Sequence, residues 1–279
     1  MKTKISPLDQ NAMDQKEKQT INDFGEQWVN YRNNPGHYGS SKLLLNIFGP
    51  LLKQKDVENS IVVEVGSGTG RIVNMLLDVG VAHVYAVEPS EAFGVLKDNT
   101  KSRQKQITYM RIPGEALSSN LELDFAFSIG VIHHIPDPLP TLNAMYNALR
   151  PGGKILVWVY GREGNETYLK IIEPIRAVTK KIPHWLLIFI CSIFFVFLEL
   201  YIFLCRFLPL PMHDYMKNVL GNFPHSVRHM TIYDQLNPSY AKYYTKDEAL
   251  SLLAQANFHH IGIFHRHGYS WTLIGTKPE

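Results

Sequence analysis

The sequence predicts an α/β protein with a mostly parallel sheet, helices on both faces and an antiparallel hairpin at the carboxyl end. Three observations predict it. Short, wholly apolar runs alternate with segments of helical period between Ile61 and Tyr160, the pattern of strands buried on both faces. A glycine turn, "GSGTG" at 66–70, stands where the first such run passes into the first helical segment. The chain then ends in "HIGIFHR" and "SWTLIGTK", two strand-like runs joined by a short turn at His267–Gly268.

Taken in order, the strands are expected at Ile61–Val65, His83–Val87, Ile107–Ile112, Leu123–Ser128 and Lys154–Tyr160, with helices at Thr69–Val79, Ser90–Lys101 and Pro138–Leu149. The rhythm breaks after Tyr160 and resumes at "YTKDEALSLLAQANF". There Thr245 and Glu248 form a capping box before an amphipathic helix. Residues 1–20 are polar and charged and are expected to be disordered. Four stretches follow: 1–44, an N-terminal tail and helical lid; 45–160, the ligand-binding half; 161–244, a hydrophobic helical insertion; and 245–279, the last helix and hairpin.

A chain of 279 residues can bury a sizeable core. Its formal charge of +3 carries no broad field that would favour nucleic acid as a partner. No apolar run occupies the first twenty residues, so secretion is not indicated. The two cysteines, Cys191 and Cys205, both lie in an apolar run and cannot form a disulfide framework, which points to a reducing, cytoplasmic setting.

Glycines at 66, 68 and 70 lack a Cβ, so the backbone there can approach a ligand and adopt positive φ. The spacing is G-x-G-x-G; Arg71 stands where a dinucleotide fingerprint would carry its third glycine. Glu64, just before the turn, repels phosphate and suits an ammonium group. Glu88 ends the second strand 22 residues past Gly66, where a carboxylate can accept ribose hydroxyls.

These residues carry a resemblance. By "VVEVGSGTGR", "VYAVEPS", "GEALSSNLELDFAFSIGVIHHIPDP" and "LRPGGKILVWVY", the sequence resembles the class I S-adenosylmethionine-dependent methyltransferases. It is similar to the small-molecule branch that includes the ubiquinone/menaquinone-biosynthesis enzymes. The resemblance covers roughly 45–160 plus the final helix and hairpin. It implies a Rossmann-like sheet of seven strands with the last antiparallel, S-adenosylmethionine as cofactor and S-adenosylhomocysteine as product. By position it implies that Glu64 and the turn Gly66, Ser67, Gly68 and Gly70 face the methionine moiety. Glu88 would take the ribose. Glu115, where the family more often has Asp, would take the adenine amino group, and Ser128 and Ile129 would pack beside the cofactor.

Methyl transfer from a sulfonium is an in-line displacement, accelerated by positioning and exclusion of water. A base is needed only for a protonated acceptor. His133 and His134, at the carboxyl edge of the fourth strand, are candidates for it; a structural role in turning the chain toward Pro136 and Pro138 is the alternative. Phe24, Trp28 and Tyr31 recur at helical spacing before the first strand, and with Tyr38 the residues Trp28 and Tyr31 are assigned to the pocket wall. Further along, His225, Arg228, His229, Tyr233, Asp234, Tyr240, Tyr243 and Tyr244 concentrate before the last helix. Of these, His225, His229, Tyr233, Tyr240 and Tyr244 are assigned to an acceptor wall, with a loop merely rich in such residues as the alternative. No acidic or Cys partner completes a ligand set around the histidines, so no metal is expected.

The insertion holds "HWLLIFICSIFFVFLELYIFLCRF", His184–Phe207, long enough to cross a bilayer. A single crossing would split the sheet between two compartments and leave unpaired strand edges, so it is excluded. Peripheral association of 185–208 with one leaflet is expected, on the inner face of a membrane; a cap over the acceptor pocket or a homodimer contact are the alternatives. Ser192, Glu199 and Arg206, seven apart, make one narrow polar stripe, and Lys180, Lys181 and Arg206 flank the run with positive charge.

The function expected is methyl transfer to a small, hydrophobic or lipid-like acceptor. The alternatives are a soluble acceptor such as a sugar, or a non-catalytic, membrane-associated scaffold of the same fold.

Overall fold

The computed structural model describes residues 7–179, 182–236 and 240–279. Strands β1 (Ile61–Val65), β2 (His83–Val87), β3 (Ile107–Met110), β4 (Leu123–Ile129), β5 (Leu149–Tyr160), β6 (His259–Arg266) and β7 (Ser270–Thr276) form one sheet in the order β3-β2-β1-β4-β5-β7-β6. β1 is parallel to β2 and β4, and only β7 runs against its neighbours. The sheet is therefore that of the class I methyltransferases. The strand order reverses at β1/β4, and the loops after those strands flank the crevice where such sheets bind ligands.

The helices are α1 (Pro7–Asn30), α2 (Ser41–Phe48), α3 (Gln54–Val57), α4 (Arg71–Asp78), α5 (Ala92–Thr100), α6 (Leu139–Ala148), α7 (Glu166–Thr179), α8 (His184–Leu204), α9 (His213–Asn218), α10 (His225–Leu236) and α11 (Lys246–Gln255). Alternation along β1 decides which layer each side chain enters. Val62 joins Ile72, Val73, Leu76 and Phe127 on one face, and Val63 joins Leu142, Met145, Leu253 and Leu273 on the other. The capping box at Thr245 and Glu248 opens α11.

The expected helices are each one or two residues shorter at their ends, and β4 runs one residue further, to Ile129. Three other differences have a structural reason or a larger extent. β3 stops two residues early, at Met110. β5 begins at Leu149, because Leu149 pairs with Leu123 ahead of the main ladder that starts at Lys154. Residues 1–20 are not all irregular: α1 starts at Pro7. Composition alone misses this because the helix is held by its C-terminal half. Gly25 lies so close to Ser90 that a Cβ would sit 3.0 Å from the serine Cβ, and Thr20 and Gln27 are buried.

The chain leaves the sheet at Gly161 and returns at Tyr244, and these two residues form a β-bridge with each other. The insertion α7–α10 thus departs and re-enters at one point on one edge. Helix α8 is long and apolar enough to span a bilayer, but a single crossing is incompatible with that closure.

Candidate active site

The first strand ends in a turn that only glycine fits. Gly66, Gly68 and Gly70 have φ of 83°, 50° and 78°. A Cβ on Gly66 would collide with Val131, and one on Gly68 would sit 3.2 Å from Trp28 Nε1. Glu88 stabilises this turn: its Oε2 accepts from Gly68 N–H at 2.8 Å, while Oε1 accepts from Ser90 N–H at 2.9 Å and from the Ser90 hydroxyl. A carboxylate offers about four acceptor positions, so one lone pair on Oε2 remains for a ligand hydroxyl.

Behind the turn Glu64 is fully buried, beneath Val65 and Gly66 rather than in the cavity lining itself, and neither carboxylate oxygen has a partner. Burial, reinforced by the charge of Glu88, pushes its carboxyl up to about 8. An orphaned buried acid is an expensive feature for a structure to retain unless something satisfies it, and the ammonium of an amino-acid moiety is a suitable partner.

The turn opens into a cavity of about 890 Å³, within the range of small-molecule sites. Gly66, Ser67, Gly68, Glu88, Glu115 and Ile129 line it, as do Trp28, Tyr38 and His134. The segment after α1 is tied over the turn: Asn99 Nδ2 donates to Arg32 O and Thr69 O at 2.7 and 2.9 Å, and the Thr69 hydroxyl donates to Asn34 at 2.9 Å. The lid expected from the aromatic stripe is therefore in contact with the glycine turn.

Several residues singled out from the sequence lie elsewhere. Gly70 caps α4 and packs on Leu96 and Thr100, where a Cβ would not fit. Ser128 is buried and donates to Val65 O at 3.2 Å, joining β4 to β1 rather than facing a ligand. Tyr31 packs against Tyr233 with ring centroids 5.7 Å apart and lies 3.4 Å from His229 Nδ1. His225, His229 and Tyr233 fall on the face of α10 turned away from the cavity. His225 is 3.6 Å from Glu199, His229 is 3.2 Å from the Ser192 hydroxyl, and Tyr233 sits in a small core with Leu187 and Cys191. Tyr240 contributes its carbonyl to His134, and Tyr244 is buried against the sheet. From this segment Met230, Asp234 and Gln235 of α10, and Tyr243 beyond the helix, line the cavity.

The two histidines separate. His133 is fully buried, with neither ring nitrogen partnered and its ring 3.9 Å from that of Tyr160; burial holds its pKa well below the usual value. It does not line the cavity. His134 does, and its Nδ1 is 2.8 Å from Tyr240 O. A carbonyl only accepts, so Nδ1 carries the proton and the neutral ring keeps its lone pair on Nε2. Burial also lowers the pKa of His134, with the Asp234 charge pulling the other way.

A chain of hydrogen-bonded polar groups also lines the cavity. The Tyr160 hydroxyl donates to Asp234 Oδ2 at 3.0 Å, Gln27 Nε2 donates to Asp234 Oδ1 at 2.9 Å, and the Tyr168 and Tyr243 hydroxyls donate to Gln235 Oε1 at 2.8 and 2.9 Å. Burial pushes the Tyr160 phenol far above its usual value, so it is a donor throughout the ordinary pH range. Tyr160 is the last residue of a strand and Asp234 lies 74 residues further on, a pairing with no local sequence signature.

Helix α8 is oriented inside out. Two of the three expected stripe residues face α10: Glu199 receives two hydrogen bonds from Arg228 Nη1, at 2.8 and 2.6 Å, and Ser192 meets His229. Arg206 lies past the helix end at Leu204 and so does not extend the stripe. Outward stand Trp185, Phe189, Val196, Phe197, Leu200 and Phe203, all more than half exposed. Arg206 is exposed beside them, whereas Lys180 and Lys181 lie outside the described residues. Phe194, Phe197 and Ile171 are exposed and also line the cavity, so the apolar face continues into its mouth. Among the described residues no group of three His, Cys, Asp or Glu side chains could hold a metal.

Comparison with known proteins places this geometry. The family described as Methyltransferase domain matches residues 63–157. A tRNA U34 carboxymethyltransferase from Pseudoalteromonas atlantica is 31% identical over 114 residues, covering 40% of this chain and 35% of that protein. A ubiquinone biosynthesis O-methyltransferase from Hydrogenovibrio crunogenus is 23% identical over 177 residues, covering 62% of this chain and 71% of that protein. The chain thus spans about a third of the length of the tRNA-modifying relatives. Among solved structures, the 1,6-didemethyltoxoflavin-N1-methyltransferase of Burkholderia thailandensis, with 1,6-didemethyltoxoflavin and S-adenosylhomocysteine bound, superposes with a TM-score of 0.53. It shares 14% identity and covers 100% of this chain and 93% of that one. That likeness establishes the fold.

Proposed function

We propose that this chain, whose residues 63–157 are a methyltransferase domain, transfers a methyl group from S-adenosylmethionine to a hydrophobic acceptor taken up at a membrane surface. The observation that carries this reading is the continuity of the exposed apolar face of α8 with the mouth of the cavity holding the glycine turn, through Phe194, Phe197 and Ile171. An exposed apolar patch of that kind marks an interaction site. Its inward-turned polar stripe is the reverse of an ordinary surface helix and suits lipid.

When bound, the cofactor supplies an electrophilic methyl on a sulfonium. The residues around it fit: Glu64 for the ammonium, the free lone pair of Glu88 for a ribose hydroxyl, Glu115 at the outer rim for adenine, and Ile129 as an apolar contact. His134 Nε2 is placed to accept a proton from a hydroxyl or ammonium acceptor, held in that tautomer by Tyr240 O. Tyr160 and Asp234 position the acceptor's polar group, and the lid from α1 excludes water. The tRNA-modifying relatives match over only about 40% of this chain. The modest net charge and the apolar mouth favour a small acceptor over RNA.

The test combines two measurements. Incubation with methyl-tritiated S-adenosylmethionine and a bacterial lipid extract should move label into the organic phase; label appearing only in added tRNA would refute the acceptor class. The protein should float with anionic liposomes. Failure to float, with a concentration-dependent dimer, would assign α8 to a second copy of the chain.

A further inference from the structure

We infer that the cavity has an anion subsite at Arg266, so that the acceptor is an apolar molecule bearing a carboxylate or phosphate remote from the atom that is methylated. This rests on reading the cavity as the acceptor site. Arg266 ends β6 and is only 2% exposed, yet it lines the cavity wall. Its Nε–H donates to Asn46 Oδ1 at 2.9 Å and its Nη1 donates to the Tyr269 hydroxyl, while Nη2 is buried without any partner. No carboxylate among the described residues pairs with it. Asp214 is held by His267 Nδ1 at 2.6 Å, and Asp234 is bonded to Gln27 and Tyr160.

A guanidinium stays charged in any protein. Buried without a counter-charge, it carries a desolvation cost that a bound anion relieves. A second donor stands beside it. Tyr215 lines the same wall and stacks on Tyr269 with centroids 4.2 Å apart, and its hydroxyl has no hydrogen-bond partner among the described residues. Two unused donors, with no carboxylate bonded to either, describe a site for an oxyanion, and a guanidinium matches a carboxylate or phosphate in two-point geometry.

The position sets the shape of the ligand. In the sheet, β6 is four strand spacings from β1, about 19 Å at ~4.8 Å per spacing. The strand carrying the anionic end is therefore set apart from the glycine turn along the sheet, and the aromatic side chains of the wall, including Trp158 and Tyr269, take the apolar body.

The experiment is calorimetric titration of the full-length protein, saturated with S-adenosylhomocysteine, using decanoate, decyl phosphate and decanol as probes. An anionic probe should bind about tenfold or more tightly than decanol, the range of one charge-assisted hydrogen-bonded contact. The stronger of the two anions identifies the headgroup. Arg266→Met should abolish the preference while S-adenosylhomocysteine affinity stays unchanged. Tyr215→Phe, which removes only a hydroxyl, should reduce the preference by about threefold and serves if the arginine variant does not fold. Equal binding of decanol and both anions, or a preference that survives in Arg266→Met or is untouched in Tyr215→Phe, would overturn the subsite. Absence of S-adenosylhomocysteine binding would instead refute the methyltransferase reading, and the probe titrations without it would still decide the subsite.

Discussion

Replacing Glu64 by Gln should make the cofactor-free protein more stable and its cofactor binding weaker. The side chain is fully buried, both oxygens are unpartnered, and its carboxyl rises from 4.5 to about 8. At about 1.4 kcal/mol per tenfold, that rise corresponds to a ceiling of about 5 kcal/mol for ionising the group in place. The folded state holds a proton that the unfolded state releases between pH 4.5 and 8, so stability falls as pH rises through that window and is level above it. Gln imitates the protonated acid in size and hydrogen bonding but cannot titrate. With water entry relieving part of the ceiling, the Gln variant should exceed the native protein by at least about 1 kcal/mol at high pH, or about 2–4 °C in melting temperature. The two curves should converge toward pH 5. Over the same range S-adenosylhomocysteine should bind the variant about tenfold less tightly, since the ammonium loses a charged partner. The assays are thermal unfolding from pH 5 to 8.5 and titration with S-adenosylhomocysteine. Parallel melting curves for the two proteins, or unchanged affinity, would refute the assignment of Glu64 as an acid kept for a cation.

Glu88→Ala removes the acceptor for Gly68 N–H and for the ligand hydroxyl, and should weaken S-adenosylhomocysteine by about 1–3 kcal/mol in a binding titration. Gly66→Ala, which drives a Cβ into Val131 at positive φ, should abolish that binding with the circular dichroism spectrum retained. Glu199→Ala leaves buried Arg228 without its carboxylate; a loss of about 3 kcal/mol on urea unfolding is expected. Trp185→Glu with Val196→Glu, both at exposed positions outside the cavity, should cancel flotation with liposomes and leave S-adenosylhomocysteine affinity intact.

Much of the fold is written locally. Apolar runs such as "IVVEV" and "FAFSI", bounded by turn signals and alternating with helical segments, read as strands and are strands, and the glycine turn with Glu64 and Glu88 on either side is likewise contained in a single stretch. The capping box at Thr245 and the hairpin after it are equally local, which is why their boundaries agree with the structure. These features depend on neighbours a few residues apart, and period, cap and turn chemistry report them directly.

The acceptor side is different in kind. In α10 the sequence offers two histidines, a tyrosine and an aspartate, and only packing against α8 decides that Asp234 enters the cavity while His229 and Tyr233 turn away. His133 and His134 are adjacent and chemically identical; their roles part because one ring is enclosed by Tyr160 and the other meets a carbonyl 106 residues distant. Arg266 reads as a strand terminus until the wall around it is assembled from α9, β6 and the hairpin turn. The sequence by itself determined the sheet and the glycine turn after its first strand, because those follow from short-range order. Which face of each inserted helix is wet, and which charges are left without partners, was decided only by tertiary structure, because burial and pairing belong to surfaces made from distant parts of the chain.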